Sequence, residues 1–193
     1  NSNNVLTDFI KTGTYDKNRD FYTTTSPSMD ILVSSNLERL LFELSGHDDG
    51  LIRKYMDSLN TTGAYTVNEI IRNAIQKDFV AGFCDDKQTA ETIKDVFFKH
   101  NYLIDTHTAV GYKVYRDYVS ETGDKTHTVI ASTASPFKFC EAVLAALGRN
   151  YKLPGLELIE KLEEVSGVKA PTPLTSLKDQ KERFTQSVNK EEM

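Results

Sequence analysis

The sequence has 193 residues, a formal net charge of −5 and 39% hydrophobic residues, which is long enough for one large globular domain with a substantial core. The acidic balance gives no basic field that would attract nucleic acid, so we expect no nucleic-acid partner. No apolar run is long enough to cross a bilayer and no secretory signal opens the sequence, so no membrane association is expected. Cys84 and Cys140 lack metal-binding spacing, so no metal site is predicted. We expect both to be free, buried thiols, which is typical of a cytoplasmic protein.

The N-terminal part of the sequence predicts helices around short extended segments. A polar cluster at residues 1–4 leads into an amphipathic helix that ends at Gly13. Residues 28–33 are predicted to form a short strand or an extended segment. Ser35 and Glu38 then have the spacing of a capping box, which would begin a helix. The apolar face of this helix consists of Leu37, Leu40, Leu41 and Leu44.

Further along the sequence, helical patterns alternate with one continuous apolar run. Apolar periodicity predicts helices at residues 51–59, 68–76, 89–99 and 155–166. The apolar run at residues 79–84 is typical of a buried strand. Asp105 is the predicted N-cap of another helix, so His107 would lie in its first turn, where the helix dipole favours a neutral imidazole. His107 could act there as a base or a hydrogen-bond partner, or it could pack as a histidine satisfied by backbone groups.

The stretch at residues 128–148 contains the strongest indication of a ligand site. Residues 129–131 form a short apolar, β-branched run that predicts a strand buried on both faces. Two hydroxyl side chains, Ser132 and Thr133, follow at its carboxyl end, and Ser135 with the proline after it begins a helix. Open α/β sheets bind their ligands at such strand-to-helix turns. The residues alone therefore predict a soluble α/β domain with a ligand site near Thr133.

Three ordered motifs, at residues 26–39, 104–112 and 132–139, closely resemble segments of the threonine synthase family; the last has the sequence Ser-Thr-Ala-Ser-Pro-Phe-Lys-Phe. These are pyridoxal-phosphate enzymes of the tryptophan-synthase-β class, and the resemblance covers only their second half. It implies an α/β fold, the helix-rich C-terminal part of a fold-type-II pyridoxal-phosphate enzyme with a small, mostly parallel strand set. Residues 1–148 would be the C-terminal part of the large domain, and residues 149–193 a C-terminal helix and tail.

The resemblance implies cofactor contacts at Ser132 and Thr133. Thr133 matches the family residue whose hydroxyl faces the pyridine nitrogen of pyridoxal 5'-phosphate. A hydroxyl, unlike an aspartate, does not hold that nitrogen protonated, so the ring is a milder electron sink. The alternative is that Thr133 only closes the strand end through a local bond from its hydroxyl to the backbone.

Three residues at the start of the second predicted helix are candidates for the substrate phosphate. In the family this helix begins near the substrate pocket, which implies anion contacts for Ser35, Asn36 and Arg39. Alternatively, the serine and the asparagine only cap the helix and the arginine is a solvated surface charge. Catalysis by His107 is the one further candidate, and Thr106 stands before it where the family motif usually has a proline.

Two parts of the family's chemistry have no match in this sequence. The lysine that forms the Schiff base lies in a Ser-Phe-Lys-Asp context that does not occur here, and Lys138 matches a different family position. The glycine-rich phosphate cradle is also missing, because Gly46, Gly50 and Gly63 are isolated. We therefore expect no catalytic residue in this chain, and no activity or retained cofactor when it is alone.

By resemblance, the parent enzyme would convert O-phospho-L-homoserine and water to L-threonine and phosphate, as a carbon–oxygen lyase of threonine biosynthesis. The implied partner of this chain is the N-terminal half of the same polypeptide, and apolar surface left exposed without it could support a dimer. Two other functions stay open. The chain could be a non-catalytic helical interaction or regulatory module, or part of another fold-type-II enzyme such as a dehydratase or sulfhydrylase.

Overall fold

The computed structural model describes residues 1–192, most of which lie in helices. The α-helices are α1 (Val5–Thr12), α2 (Ser35–Leu44), α3 (Asp49–Thr61), α4 (Glu69–Asp78), α5 (Asp86–His100), α6 (Thr106–Thr122), α7 (Cys140–Ala146), α8 (Gly155–Ser166) and α9 (Thr172–Thr175). The strands are β1 (Thr14–Asp16) and β2 (Ala64–Thr66). Short 3-10 turns occur at Pro27–Met29, Pro136–Lys138, Ser176–Asp179 and Lys190–Glu192.

The first half of the chain is organised around stacked aromatic rings. Strand β1 pairs antiparallel with β2, and this pairing places Tyr15 opposite Tyr65. Their rings stack with centroids 5.4 Å apart, and the ring of Tyr55 stacks on that of Tyr65 with centroids 5.2 Å apart. We name the apolar core around them the N-terminal cluster; its buried residues are Val5, Phe9, Tyr15, Leu37, Leu41, Ile52, Tyr55, Leu59, Tyr65, Val67, Ile71 and Ile75.

The second half of the chain has a separate apolar core formed by α5, α6, α7 and α8. We name it the C-terminal cluster; its buried residues are Ile93, Val96, Leu103, Ile104, Ala109, Phe137, Cys140, Val143, Leu144, Ala146, Leu147, Leu158, Ile159 and Leu162. Three of these belong to α8, so this helix shares one core with α7 across residues 149–154. The predicted helix at residues 155–166 is confirmed, and it ends at Gly167 in the left-handed conformation with φ of 70°.

The helix-rich architecture with a small strand set is confirmed, but the strands differ from those predicted. The one strand pair in residues 1–192 is antiparallel rather than parallel. The apolar runs at 79–84 and 129–131 and the segment at 28–33 form no strand. A strand buried on both faces needs neighbouring strands to satisfy its backbone groups. None is available within the described residues, so Val80 and Val129 stay exposed, with relative accessibilities of 67% and 87%.

The predicted helices at residues 51–59, 68–76 and 89–99 correspond to α3, α4 and α5 to within about three residues at each end, whereas the predicted capping box at α2 is wrong. Ser135 accepts a hydrogen bond from the amide of Phe137 at the start of the Pro136–Lys138 turn, as a cap should. At α2, however, Ser34 is the N-cap and no side-chain capping bond forms, so the predicted capping box between Ser35 and Glu38 is absent. Across residues 1–192, no helix is both long and apolar enough to span a membrane.

Candidate functional site

Three segments of the chain meet at the first turn of α6. They are the Thr- and Ser-rich loop at residues 24–30, the helix start at Asp105, and the extended segment that carries Ser132. Asp105 is the N-cap and its side chain is completely buried. Its carboxylate accepts hydrogen bonds from the backbone amides of His107 at 2.8 Å and Thr108 at 3.3 Å, and from the hydroxyl of Thr108. The predicted cap is therefore confirmed, and it is also the centre of a polar cluster.

Both ring nitrogens of His107 have partners. The backbone N–H of Ser28 donates to Nε2 at 3.1 Å, so Nε2 is the unprotonated nitrogen of a neutral ring. The hydrogen on Nδ1 then points to the carboxylate of Asp105, 3.0 Å away. The ring also packs against Phe139, with centroids 4.8 Å apart. This geometry corresponds to the packed, backbone-satisfied histidine, because a base would need the Nε2 lone pair that the amide of Ser28 already occupies.

The two predicted cofactor residues have different surroundings. The hydroxyl of Ser132 lies 3.1 Å from the hydroxyl of Thr108, so Ser132 belongs to the cluster around Asp105. Thr133 is exposed, and no other described residue hydrogen-bonds its hydroxyl. The local bond that the sequence left as an alternative for Thr133 is therefore not formed.

The three predicted phosphate contacts lie in another place. Ser35, Asn36 and Arg39 are exposed on the first turns of α2, and the guanidinium of Arg39 donates to the side-chain oxygen of Asn36. A groove of about 460 Å³ lies between α2 and α3. Its walls carry acidic as well as basic groups; they include Ser35, Glu38, Arg39, Asp49 and Arg53. Within the described residues, no hydrogen bond joins these three side chains to the Asp105 cluster.

The loop at residues 24–30 is held by two carboxylates that the sequence analysis missed. Asp30 accepts hydrogen bonds from the amide of Thr24 at 2.8 Å and from its hydroxyl at 2.7 Å. The side chain of Asn1 donates to the same carboxylate at 2.8 Å. Asp86, in the first turn of α5, accepts from the amide and hydroxyl of Thr25 at 3.1 Å and 3.0 Å. The signal in the sequence was a run of hydroxyl residues shortly followed by an aspartate, which is typical of local side-chain-to-backbone bonding.

A cleft of about 590 Å³ lies between this loop and α7. Its walls include Thr24, Pro27, Phe137, Lys138 and Glu141. Lys138 is exposed there, in the turn that follows the extended segment. The amine of Lys138 therefore lies beside the loop at residues 24–30 and before the start of α7 without being buried, so an anion could approach it from solvent.

The two cysteines are free and buried, as predicted. Burial raises the pKa of Cys140 to about 11, and burial likewise raises the pKa of Cys84 above its ordinary value. Both side chains are therefore thiols at neutral pH and are poorly suited to act as nucleophiles. Among residues 1–192, no three histidine, cysteine or carboxylate side chains are grouped as metal ligands.

Comparisons with known proteins identify what this arrangement resembles. Residues 108–193 match the family model described as the C-terminal domain of threonine synthase. The chain is 36% identical over 186 residues to threonine synthase of Saccharomyces cerevisiae, which covers 88% of this chain and 36% of that protein. It is 41% identical over 149 residues to threonine synthase-like 1 of Macaca fascicularis, which covers 76% of this chain and 20% of that protein.

Solved structures agree with these sequence matches. A crystal structure of PLP-bound threonine synthase from Brucella melitensis superposes with a TM-score of 0.74 at 37% identity, over 95% of this chain and 35% of that chain. The crystal structure of yeast threonine synthase superposes with a TM-score of 0.78 at 31% identity, over 93% of this chain and 36% of that chain. The chain therefore spans about a third of the length of these threonine synthases.

Proposed function

We propose that this chain, which has the sequence and the fold of the C-terminal portion of the threonine synthase family, supplies part of the cofactor site of a pyridoxal-phosphate-dependent lyase. The observation that carries the proposal is the exposed hydroxyl of Thr133, which has no partner among the described residues and follows directly after the anchored Ser132. A relative with this fold was crystallised with pyridoxal phosphate bound. The cofactor is therefore the ligand that we assign to this position.

The residues around Thr133 fit a pyridine nitrogen. Ser132 is anchored through Thr108 on one side, and on the other side Ser135 caps the turn that leads to α7. Thr133 is thus held at both sides while its hydroxyl stays available to donate a hydrogen bond. When bound, pyridoxal phosphate supplies an electron sink for negative charge on carbon. A hydroxyl donor suits an unprotonated ring nitrogen, since it offers one hydrogen bond and no negative charge that would keep the nitrogen protonated.

We further propose that the complete protein converts O-phospho-L-homoserine and water to L-threonine and phosphate. The names of the matched proteins support this substrate, and Ser35, Asn36 and Arg39 are the candidates for contact with its phosphate. Arg39 supplies a guanidinium, which binds phosphate well, but Glu38 and Asp49 in the same groove oppose an anion. Arg39 is therefore the residue of the three that we expect to contribute most.

We expect the Schiff-base lysine and the phosphate cradle to come from the N-terminal part of a longer polypeptide, so this chain alone would be inactive. The same part would cover the apolar side chains that the chain exposes on its extended segments, which are Phe79, Val80, Phe83 and Val129. Without the N-terminal part, these apolar side chains would stay exposed, and we expect the isolated chain to bury them by forming a dimer. The two free thiols favour a reducing, cytoplasmic location.

The test is an absorbance titration of the full-length polypeptide with pyridoxal phosphate, together with an assay of phosphate and threonine release from O-phospho-L-homoserine. We expect a cofactor band in the unsubstituted protein, and an affinity lower by roughly tenfold in Thr133→Val, because one hydrogen bond of about 1.5 kcal/mol is lost. Thr133→Ser keeps the hydroxyl and should stay within about twofold of the unsubstituted protein.

Each failure of this test has a different meaning. Absence of a cofactor band in the unsubstituted protein would contradict the proposed cofactor. A band without threonine formation would instead contradict the substrate, and this control is needed because relatives named threonine synthase-like 1 match the chain at 41% identity. Equal affinity of the valine and serine variants would show that Thr133 does not bind the cofactor.

A further inference from the structure

Asp105 is the one carboxylate among the described residues that is fully buried, and each group that is hydrogen-bonded to its side chain donates to it. The amides of His107 and Thr108, the Thr108 hydroxyl and the Nδ1–H of His107 all point to its two oxygens. A carboxylate accepts hydrogen bonds and donates none when ionised, so this arrangement satisfies it completely. Because all of these partners donate to Asp105, the carboxylate determines where the hydrogens of His107 and Thr108 point. It thereby also determines which hydrogen bonds these two side chains can make with other residues.

One chain of hydrogen bonds runs from Asp105 to the loop at residues 24–30. The carboxylate takes the Nδ1 hydrogen of His107, and this leaves Nε2 as the acceptor for the amide of Ser28. In the opposite tautomer, the hydrogen on Nε2 would point at the N–H of Ser28, and the two donors would repel each other. Asp105 therefore fixes the histidine tautomer, and this tautomer leaves Nε2 free to accept the hydrogen bond that holds the loop at Ser28.

A second chain of hydrogen bonds runs from Asp105 to the proposed cofactor site. Thr108 has one hydroxyl hydrogen, and it is used in the bond to Asp105. The oxygen of Thr108 can then only accept from Ser132, whose hydroxyl lies 3.1 Å away. The single hydrogen of Ser132 is consumed in turn, so Ser132 presents only lone pairs to the solvent side. Thr133, with no described partner, keeps its hydrogen free.

We infer that Asp105 is a positioning residue that, through Thr108, orients the hydroxyl of Ser132 so that it offers only lone pairs to a ligand bound beside Thr133. Ser132 donates its hydrogen to Thr108 and is an acceptor toward the ligand side, next to the free hydroxyl of Thr133. This inference rests on the proposed function, since it assigns the acceptor within the same cofactor site. Asp105 itself acts through Thr108 and Ser132.

The test is a double-mutant cycle for pyridoxal-phosphate affinity in the full-length polypeptide. In Asp105→Asn, the amide NH₂ facing Thr108 would donate to that hydroxyl, so Thr108 would donate to Ser132 and the hydrogen of Ser132 would be released to the solvent side. A bound cofactor would then meet a donor at Ser132 where it otherwise meets an acceptor. We expect the affinity to fall about tenfold in this variant. In a Ser132→Ala background, the same Asp105→Asn change should lower the affinity by less than about threefold, because the hydrogen bonds that run from Asp105 to Ser132 are already broken.

A matched control separates this effect from a general loss of helix capping. Asp48 is also an N-cap aspartate that accepts a bond from an amide, but it is exposed at the start of α3. Asp48→Asn should leave the cofactor affinity within about twofold, and the thermal midpoints of all variants should be recorded beside the affinities. A fall in affinity that is equal in both backgrounds would overturn the inference while leaving the proposed function intact. No cofactor band in the unsubstituted polypeptide would overturn both.

Discussion

The N-terminal and C-terminal clusters differ in what they bury. The N-terminal cluster closes around tyrosine and phenylalanine rings, and the hydroxyl of Tyr15 donates to the carbonyl of Leu32 and accepts from the amide of Ser34. Beside the C-terminal cluster, the start of α6 buries a carboxylate with its full set of donors. We therefore expect the first cluster to contribute mainly to stability and the second also to hold the proposed cofactor segment in place.

The largest expected effect is in the N-terminal cluster. Phe9 is fully buried, and its ring lies 5.7 Å from that of Tyr15. Phe9→Ala removes these contacts and leaves a cavity, so the free energy of unfolding should fall by about 3–5 kcal/mol. Urea unfolding of the full-length polypeptide measures this loss. Ile70→Ala, at a position that is 78% exposed, is the control and should change stability by less than about 0.5 kcal/mol.

The same kind of substitution in the C-terminal cluster should distinguish the two regions. Leu144 is buried in α7, the helix that follows the proposed cofactor segment. Leu144→Ala should cost about 2–5 kcal/mol and should also weaken pyridoxal-phosphate binding, whereas Phe9→Ala should leave binding unchanged in the folded protein. Equal effects of the two variants on cofactor affinity would contradict the division of roles.

A smaller effect concerns the pH dependence of stability. Burial raises the pKa of Cys140 from 9.0 to about 11. Between these values the unfolded chain releases the thiol proton and the folded chain keeps it, so stability falls as the pH rises from about 9 toward 11. In Cys140→Ser, whose hydroxyl can keep the hydrogen bond to the carbonyl of Phe137, this part of the decline should disappear. Unfolding midpoints at a series of alkaline pH values measure it, and an identical decline in both proteins would rule out Cys140 as its source.

Local features of the fold could be predicted from the sequence, and the site only in part. The cap at Asp105, the helix start at Ser135 and the helix at residues 155–166 depend on neighbouring residues, and all three are present, although the helix start at Ser135 is a short 3-10 turn before α7. The predictions of strands at residues 79–84 and 129–131 are wrong, because an apolar run indicates burial but does not specify the neighbouring strands that a buried strand needs.

The polar cluster shows the same limit at longer range. The amide of Ser28 reaches a histidine 79 residues away, and Thr108 reaches a serine 24 residues away. No spacing rule connects such positions, since the fold alone brings them together. Motif resemblance predicted Thr133 as the residue that faces the ring nitrogen, whereas the hydrogen bond between Ser132 and Thr108 could be found only from the geometry.

The most direct test of the central claim is the ¹⁵N chemical shift of the pyridine nitrogen in labelled pyridoxal phosphate bound to the full-length polypeptide. We expect an unprotonated nitrogen that accepts a hydrogen bond, with a shift that changes in Thr133→Val and is preserved in Thr133→Ser. A protonated ring nitrogen, or the same shift in the valine variant as in the unsubstituted protein, would contradict the assignment of Thr133 as its partner.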